Sequence, residues 1–397
     1  MSSIALLDKP DQGRVEKMAL LTVLAVFLLA PYLPYMTRYL NQEGGKISIP
    51  FIKIGALNVW LFLATGLAVA AQIHRYKLSD LLLFISVSVL AILILAARIF
   101  IYRDVSASGL SYFRPAFTIL LYWFMAEALM KRPGVKSLLS KIIVANSLIH
   151  AIIGILIQQK LLALPFLDNA VRMSGILFSP AVYANLSLLG ILTLIFAFNV
   201  TNKRSEILRT VCLLILFYAV FISKTRVPLV FAIAILSLHV LAKDKTVWFK
   251  PLVLLAISAA LLNLFFNKTE LIKRVLMLDD GGRFLKNVLG MSVLLQDFTA
   301  VVIGPALDAS QVTLPGGEGI SDNSFIEMAL KFGIVFMAIW SIVLFSAITK
   351  MVRPFSLKSV FIILYVLSCF FLTNCLLWDA WVYYLFPTIN VIMGRYE

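Results

Sequence analysis

Along this chain, long apolar runs alternate with short polar breaks. The runs fall near residues 18–37, 51–73, 78–97, 110–130, 137–157, 178–198, 207–223, 227–241, 249–266, 325–348, 358–377 and 380–393. A helix needs about 20 mostly apolar residues to cross a bilayer, and most of these runs reach or approach that length. Their apolar positions do not alternate with polar ones, as strands of an outer-membrane barrel would. The pattern predicts an all-α polytopic integral membrane protein with about 12 transmembrane helices. The eighth and twelfth runs are short, so ten or eleven crossings with one re-entrant piece is the alternative.

One connection breaks the rhythm. Residues 267–324, between the ninth and tenth runs, span about 60 positions where other loops have roughly 4 to 20, and loops that long are usually functional. Within it, Phe284, Leu285, Val288, Leu289, Leu295 and Phe298 recur at helical spacing against Lys286, Asn287, Gln296 and Asp297. That spacing predicts an amphipathic helix from Arg283 to Phe298 that lies on the membrane surface without crossing it. After Gly304 and Pro305, the cluster Pro315, Gly316, Gly317 and Gly319 predicts a flexible loop. No internal repeat or separate soluble domain is visible, so residues 1–397 read as one membrane domain with a single large loop.

Composition strengthens the membrane assignment: the chain is 61% hydrophobic and only 14% charged, with a mean hydropathy of +0.96. These values exclude a disordered chain, a coiled coil and a disulfide-stapled scaffold. The net charge of +15 would suggest nucleic acid in a soluble protein. In a membrane protein it points to anionic lipid heads and phosphate ligands, and no nucleic-acid partner is expected. Cys212, Cys369 and Cys375 all lie inside apolar runs and read as packing residues. The first run follows Lys9, Arg14 and Lys17, lacks a small-residue cleavage site and continues into Pro31 and Pro34. It reads as a retained span. With the amino terminus inside, the short inner loops hold twice as many lysines and arginines as the short outer ones, Arg98 and Arg103 being counted among the outer. Both termini are therefore expected in the cytoplasm.

Charge at membrane depth is costly and asks for a partner or a task. Four arginines fall on the predicted outer side in separate segments: Arg114 inside the fourth run, Arg172 before the sixth, Arg226 between the seventh and eighth, and Arg283 opening the amphipathic helix. A guanidinium stays charged when desolvated and grips phosphate or carboxylate with two hydrogen bonds, so a convergent cluster suits a pyrophosphate or an acidic sugar. Each has a plainer alternative: snorkelling for Arg226, solvated loop charge for Arg283 and Arg172, a carbonyl or headgroup contact for Arg114. Asp322, at the end of the long loop, could orient or deprotonate a sugar hydroxyl or could simply favour a helix start. Ser324 and Glu327 have capping-box spacing at the tenth run, and Glu327 faces Lys331 four residues on. Glu127 and Lys141 are expected to pair across a hairpin, and His150 to be a hydrogen-bonded core residue. No phosphate-cradling Gly loop, nucleophile elbow or acidic metal cluster is present, so no cofactor and no metal are expected.

The order of these features resembles the O-antigen polymerase and O-antigen ligase superfamily. Four segments carry the resemblance: Arg172 to Pro180 followed by Ala184 and Asn185; Ser223-Lys224-Thr225-Arg226; Gly281-Gly282-Arg283 with its helix and then Ile303-Gly304-Pro305; and Asp322-Asn323-Ser324-Phe325 with Glu327 and Leu330 to Gly333. Together they cover about Arg172 to Gly333. The resemblance implies a metal-independent glycosyltransferase of the bacterial inner membrane, polymerising undecaprenyl-pyrophosphate-linked repeat units on the periplasmic face, under a chain-length regulator. It implies that Arg226 and Arg283 hold the lipid pyrophosphate and that Asp322 acts at the acceptor hydroxyl, with Arg172, Arg114, Lys224 and Asn323 in the binding site. Family ligases carry a histidine before the Asn of the last segment, where this chain has Asp322, which favours polymerase. A ligase that moves polymer to lipid A core and a lipid-linked oligosaccharide flippase are the alternatives.

Overall fold

A computed structural model describes residues 77–102, 135–163, 179–198, 202–241, 283–305, 323–353, 355–372 and 379–393, with residues 254–258 and short pieces of 21–32, 66, 177 and 313–319. Within these, the helices are α1 (Leu78–Tyr102), α2 (Val135–Gln158), α3 (Pro180–Phe196), α4 (Lys203–Ile222) and α5 (Arg226–Leu241). They continue as α6 (Arg283–Leu294), α7 (Phe298–Ile303), α8 (Ser324–Phe332), α9 (Ile334–Met351), α10 (Leu357–Leu372) and α11 (Asp379–Met393). The chain is a helical membrane protein. Four described helices, α1, α2, α4 and α9, are long and apolar enough to cross a bilayer, and α3, α5, α10 and α11 are shorter apolar helices. All eight coincide with apolar runs of the sequence.

The bundle is built around α3. Every residue from Val182 to Leu194 is buried, as expected of a helix apolar on all sides. Its start follows from local chemistry: Pro180 presets the first turn, and the Ser179 hydroxyl accepts from the Val182 N–H at 3.4 Å. Around it pack α2, α4, α5 and α11. The α2–α3 seam uses small residues so that backbones can approach. Ser147 Oγ donates to the Leu186 carbonyl at 2.9 Å, and the Tyr183 hydroxyl donates to the Ala151 carbonyl at 3.1 Å. Gly190 lies so near α2 that a Cβ there would stand 2.6 Å from Ser147 Cβ.

Polar side chains inside the bundle are mostly satisfied, as low-dielectric surroundings require. Asn185 Oδ1 accepts from the Tyr365 hydroxyl at 2.7 Å, tying α3 to α10. Asn146 accepts from the Tyr32 hydroxyl at 3.2 Å and bonds Tyr384 on α11, which in turn donates to the Phe27 carbonyl. His150 corrects an expectation. It is buried and stacked on Tyr32 at 4.7 Å, but neither ring nitrogen has a hydrogen-bond partner among the described residues. Its place in the core rests on ring packing. Glu127, the expected partner of Lys141, lies outside the described residues.

Three further readings change in the second half. The tenth apolar run is two helices, because α8 ends at Phe332 and α9 starts after a break at Gly333. The cap of α8 is Asn323, one residue before the expected Ser324: its Oδ1 accepts from Phe325 N–H at 2.9 Å and Ile326 N–H at 3.4 Å. The expected Glu327–Lys331 ion pair is present at 2.9 Å. The amphipathic helix stops at Leu294, where Asp297 begins α7 by accepting from the Ala300 N–H at 2.6 Å. In the glycine-rich stretch, strands β1 (Thr313–Leu314) and β2 (Glu318–Gly319) pair antiparallel.

Candidate functional site

Two ends of the bundle can be told apart by charge. At one, Lys350 of α9 bonds Asp80 of α1 at 2.9 Å. Arg98 lies eighteen residues further along α1, roughly 27 Å away at 1.5 Å per residue. The short helices α7 and α8 gather around it.

Arg98 is a residue that sequence reasoning placed in an outer loop and that proves to be buried within α1, 6% exposed. Its Nη1 donates to the carbonyls of Ile303 at 2.9 Å and Lys331 at 3.0 Å, and its Nη2 to that of Pro305 at 2.7 Å. The Tyr102 hydroxyl, one turn on, donates to the Gly304 carbonyl at 3.0 Å. The last carbonyls of a helix have no intrahelical partner and carry the negative end of its dipole. Arg98 supplies donors and positive charge to the C-terminal ends of α7 and α8 together.

Glycine makes this convergence possible. Gly304 ends α7 with φ 84° and ψ 156°, and Gly333 ends α8 with φ 87° and ψ 163°, a region open essentially to glycine alone. Both also lack room for a side chain. A Cβ on Gly304 would lie 2.7 Å from the Leu330 carbonyl oxygen, and one on Gly333 would lie 2.8 Å from the Ile303 nitrogen. The two breaks face each other's helix. Below them, Val293 and Leu294 of α6 pack with Ala329 and Leu330 of α8.

The segment Ser223 to Arg226 forms a hydrogen-bonded turn between α4 and α5. Ser223 Oγ donates to the Val220 carbonyl at 2.6 Å and accepts from the Thr225 N–H at 3.2 Å. Lys224 takes φ 52°, an uncommon conformation for a residue other than glycine. Ser223 and Thr225 are buried, so they serve the turn, while the partly buried Arg226 opens α5. The N–H groups of Arg226 and Val227 precede the ladder of α5, and Pro228 has none. A guanidinium beside a helix N-terminus is suited to an anion.

Helix α10 relates this turn to α8. Phe231 of α5 meets Phe361 at 5.1 Å and Tyr365 at 5.3 Å, and Phe325 of α8 meets Phe371 at 4.6 Å and Phe370 at 6.0 Å. Helices α3 and α10 are antiparallel, since Asn185 bonds Tyr365 while Lys358 lies 4.9 Å from the Phe196 ring. Helix α4 reverses α3 and the Ser223–Arg226 turn reverses α4. So α5 also runs against α10, and the Arg226 turn and the Asn323 cap share one end of α10. Of the expected site residues, Arg226, Lys224 and Asn323 thus occupy helix boundaries at that end. Asn323 Oδ1 is engaged with the backbone of α8. Arg283 opens α6, which packs on α8; its side chain lies outside the description, as do Arg114, Arg172 and Asp322. Among the described residues no three His, Cys, Asp or Glu side chains group as metal ligands.

Comparison of the chain with models of known protein families and with curated proteins finds no match.

Proposed function

We propose that this protein is a membrane glycosyltransferase of the O-antigen polymerase type, joining lipid-pyrophosphate-linked glycan repeat units on the outer face of the bacterial inner membrane. On this reading the chain crosses the membrane about twelve times, both termini are cytoplasmic, and residues 267–324 are periplasmic. The observation that carries it is the grouping of three of the four family-like segments at one end of the helices. The Ser223–Arg226 turn, the Gly304–Pro305 break and the Asn323–Gly333 helix all lie at the end opposite Asp80 and Lys350.

In the proposed reaction, the sugar C1–oxygen bond to the lipid pyrophosphate breaks and a glycosidic bond forms to a hydroxyl of the incoming lipid-linked unit. The pyrophosphate leaves on its lipid, and the hydroxyl proton passes to a base. Arg226 and Arg283 neutralise the leaving pyrophosphate, Arg172 assists, and Asp322 positions the hydroxyl and accepts its proton. Arg114, Lys224 and Asn323 complete the binding site. Guanidinium charge makes pyrophosphate a good leaving group without a metal. Discontinuous helices such as α7 and α8 are tolerated at membrane depth where they are buried in protein or line a cavity.

The test is complementation of a deletion strain. Alanine at Arg226 or at Arg283 abolishes the long-chain ladder while membrane protein level stays unchanged, and purified protein with lipid-linked repeat units extends the ladder in the presence of a chelator. Normal chain length from both variants would refute the assignment. Single-repeat-capped core in the deletion strain marks a polymerase; loss of all capped core would identify a ligase.

A further inference from the structure

Opposite the Arg98 end, a groove of about 420 Å³ runs between α2, α3 and α4. Its wall is apolar, with Leu194 and Phe198 behind and Cys212 at one side, and Lys141 and Arg209 stand in it as the two cations. Arg209 lies six residues from the start of α4, about 9 Å along the axis, and Lys141 lines the same groove from α2. The groove is open toward the surroundings, because Lys141, Ala145 and Leu208 of its wall are exposed. Large apolar side chains continue on either side, Leu138 at 42% and Ile207 at 56% exposure, so the opening faces hydrocarbon. Glu206 lies a turn before Arg209 and is the acidic group in the first turn of α4, beside Lys203 and Arg204.

We propose that this groove binds an anionic glycerophospholipid, one acyl chain lying against Leu194 and Phe198 and the headgroup phosphate held between Lys141 and Arg209. Charge and shape both select this occupant. Apolar walls alone would take any lipid tail, but two cations lining one groove favour an anionic head, and basic pockets between membrane helices are known sites for such lipids. A soluble anion would gain nothing from the apolar wall. The inference stands independently of the proposed glycosyltransferase activity, since it uses none of the residues assigned to that reaction.

Purified full-length protein is titrated with dioleoyl phosphatidylglycerol or dioleoyl phosphatidylcholine and bound lipid is counted by native mass spectrometry. One phosphatidylglycerol is retained in preference to phosphatidylcholine, and the preference falls roughly fivefold for each of Lys141→Gln and Arg209→Gln. Equal retention of the two lipids, or an unchanged preference in the double variant, would overturn the proposal. A second measurement needs no variant. In lipid nanodiscs, alkylation of Cys212 by a membrane-permeant maleimide, followed at the peptide level, is slower with phosphatidylglycerol present than with phosphatidylcholine alone. Identical rates would overturn it, as would equal protection by inorganic phosphate.

Discussion

The bundle around α3 and the helix breaks around Arg98 solve one problem in opposite ways. Both must bring backbone close to backbone away from water. In the bundle, α2 and α3 keep complete helical ladders and approach through small residues, with side chains such as Ser147 and Tyr183 filling the seam. At the Arg98 end the ladders of α7 and α8 are interrupted, and the carbonyls left over are collected by a charged side chain from α1. The first arrangement yields by repacking. The second has no slack, because the groups in contact are backbone. That difference suits a scaffold in one place and a fixed, non-helical surface in the other.

The sharpest test substitutes alanine for glycine in each region. Gly333→Ala places a methyl against the Ile303 nitrogen and the Val302 carbonyl in a conformation that itself costs of order 1–3 kcal/mol for a residue with a side chain. Including the backbone displacement, the expected loss is about 3 kcal/mol or more. Gly190→Ala meets Ser147 Cβ and Leu216 Cδ1, and such overpacking costs about 1–3 kcal/mol. Thermal denaturation in detergent, followed by size-exclusion chromatography, should therefore show Gly333→Ala far less stable than Gly190→Ala. The reverse order would break the distinction between the two regions.

Arg98 comes next. Lysine keeps the charge but cannot span three carbonyls with a planar fork, and each buried acceptor left without its donor costs about 1–3 kcal/mol. Arg98→Lys is expected to cost about 2–4 kcal/mol, while Tyr102→Phe, which removes one bond to Gly304, should cost about 1 kcal/mol. Hydrogen exchange can locate the effect. In Arg98→Lys, protection falls in α7 and α8 and is kept in α3; a uniform loss along the chain would mean that Arg98 supports the whole bundle and not the breaks.

The bundle was legible in the sequence for a physical reason. Burial on all sides leaves a continuous apolar run, and the α3 start is written in the adjacent Ser179 and Pro180. The Arg98 assembly leaves no local trace. Its partners are more than 200 residues away in the chain, and a carbonyl acceptor has no residue type, so Arg98 looked like one more loop cation. Gly304 and Gly333 were visible as breakers, but an apolar run passing through Gly333 reads as one span until the positive φ is seen. The Asn323 cap shows a smaller limit, since Asn, Ser and Asp are all good caps and Ser321-Asp322-Asn323-Ser324 offers four in a row. Arg226 and Arg283 were readable as residue types beside predicted helices and open α5 and α6, whereas convergence is a property of tertiary structure that no local pattern encodes.

The smallest effect tests whether α8 is oriented from within or from outside. Glu327 and Lys331 form an ion pair at 2.9 Å, in the favourable order along the helix, with side chains 20% and 11% exposed. Pairs of this spacing contribute about 0.2–0.5 kcal/mol on a solvent-exposed helix, and this pair is better shielded than that. Lys331 matters to the assembly mainly through its backbone carbonyl, which accepts from Arg98 whatever its side chain does. Glu327→Gln, whose amide oxygen can still accept from the Lys331 ammonium, should therefore lower stability by about 1 kcal/mol and leave the protection of α7 unaltered. A loss as large as that of Arg98→Lys would make the pair, and not the guanidinium, the element that fixes α8 against α7.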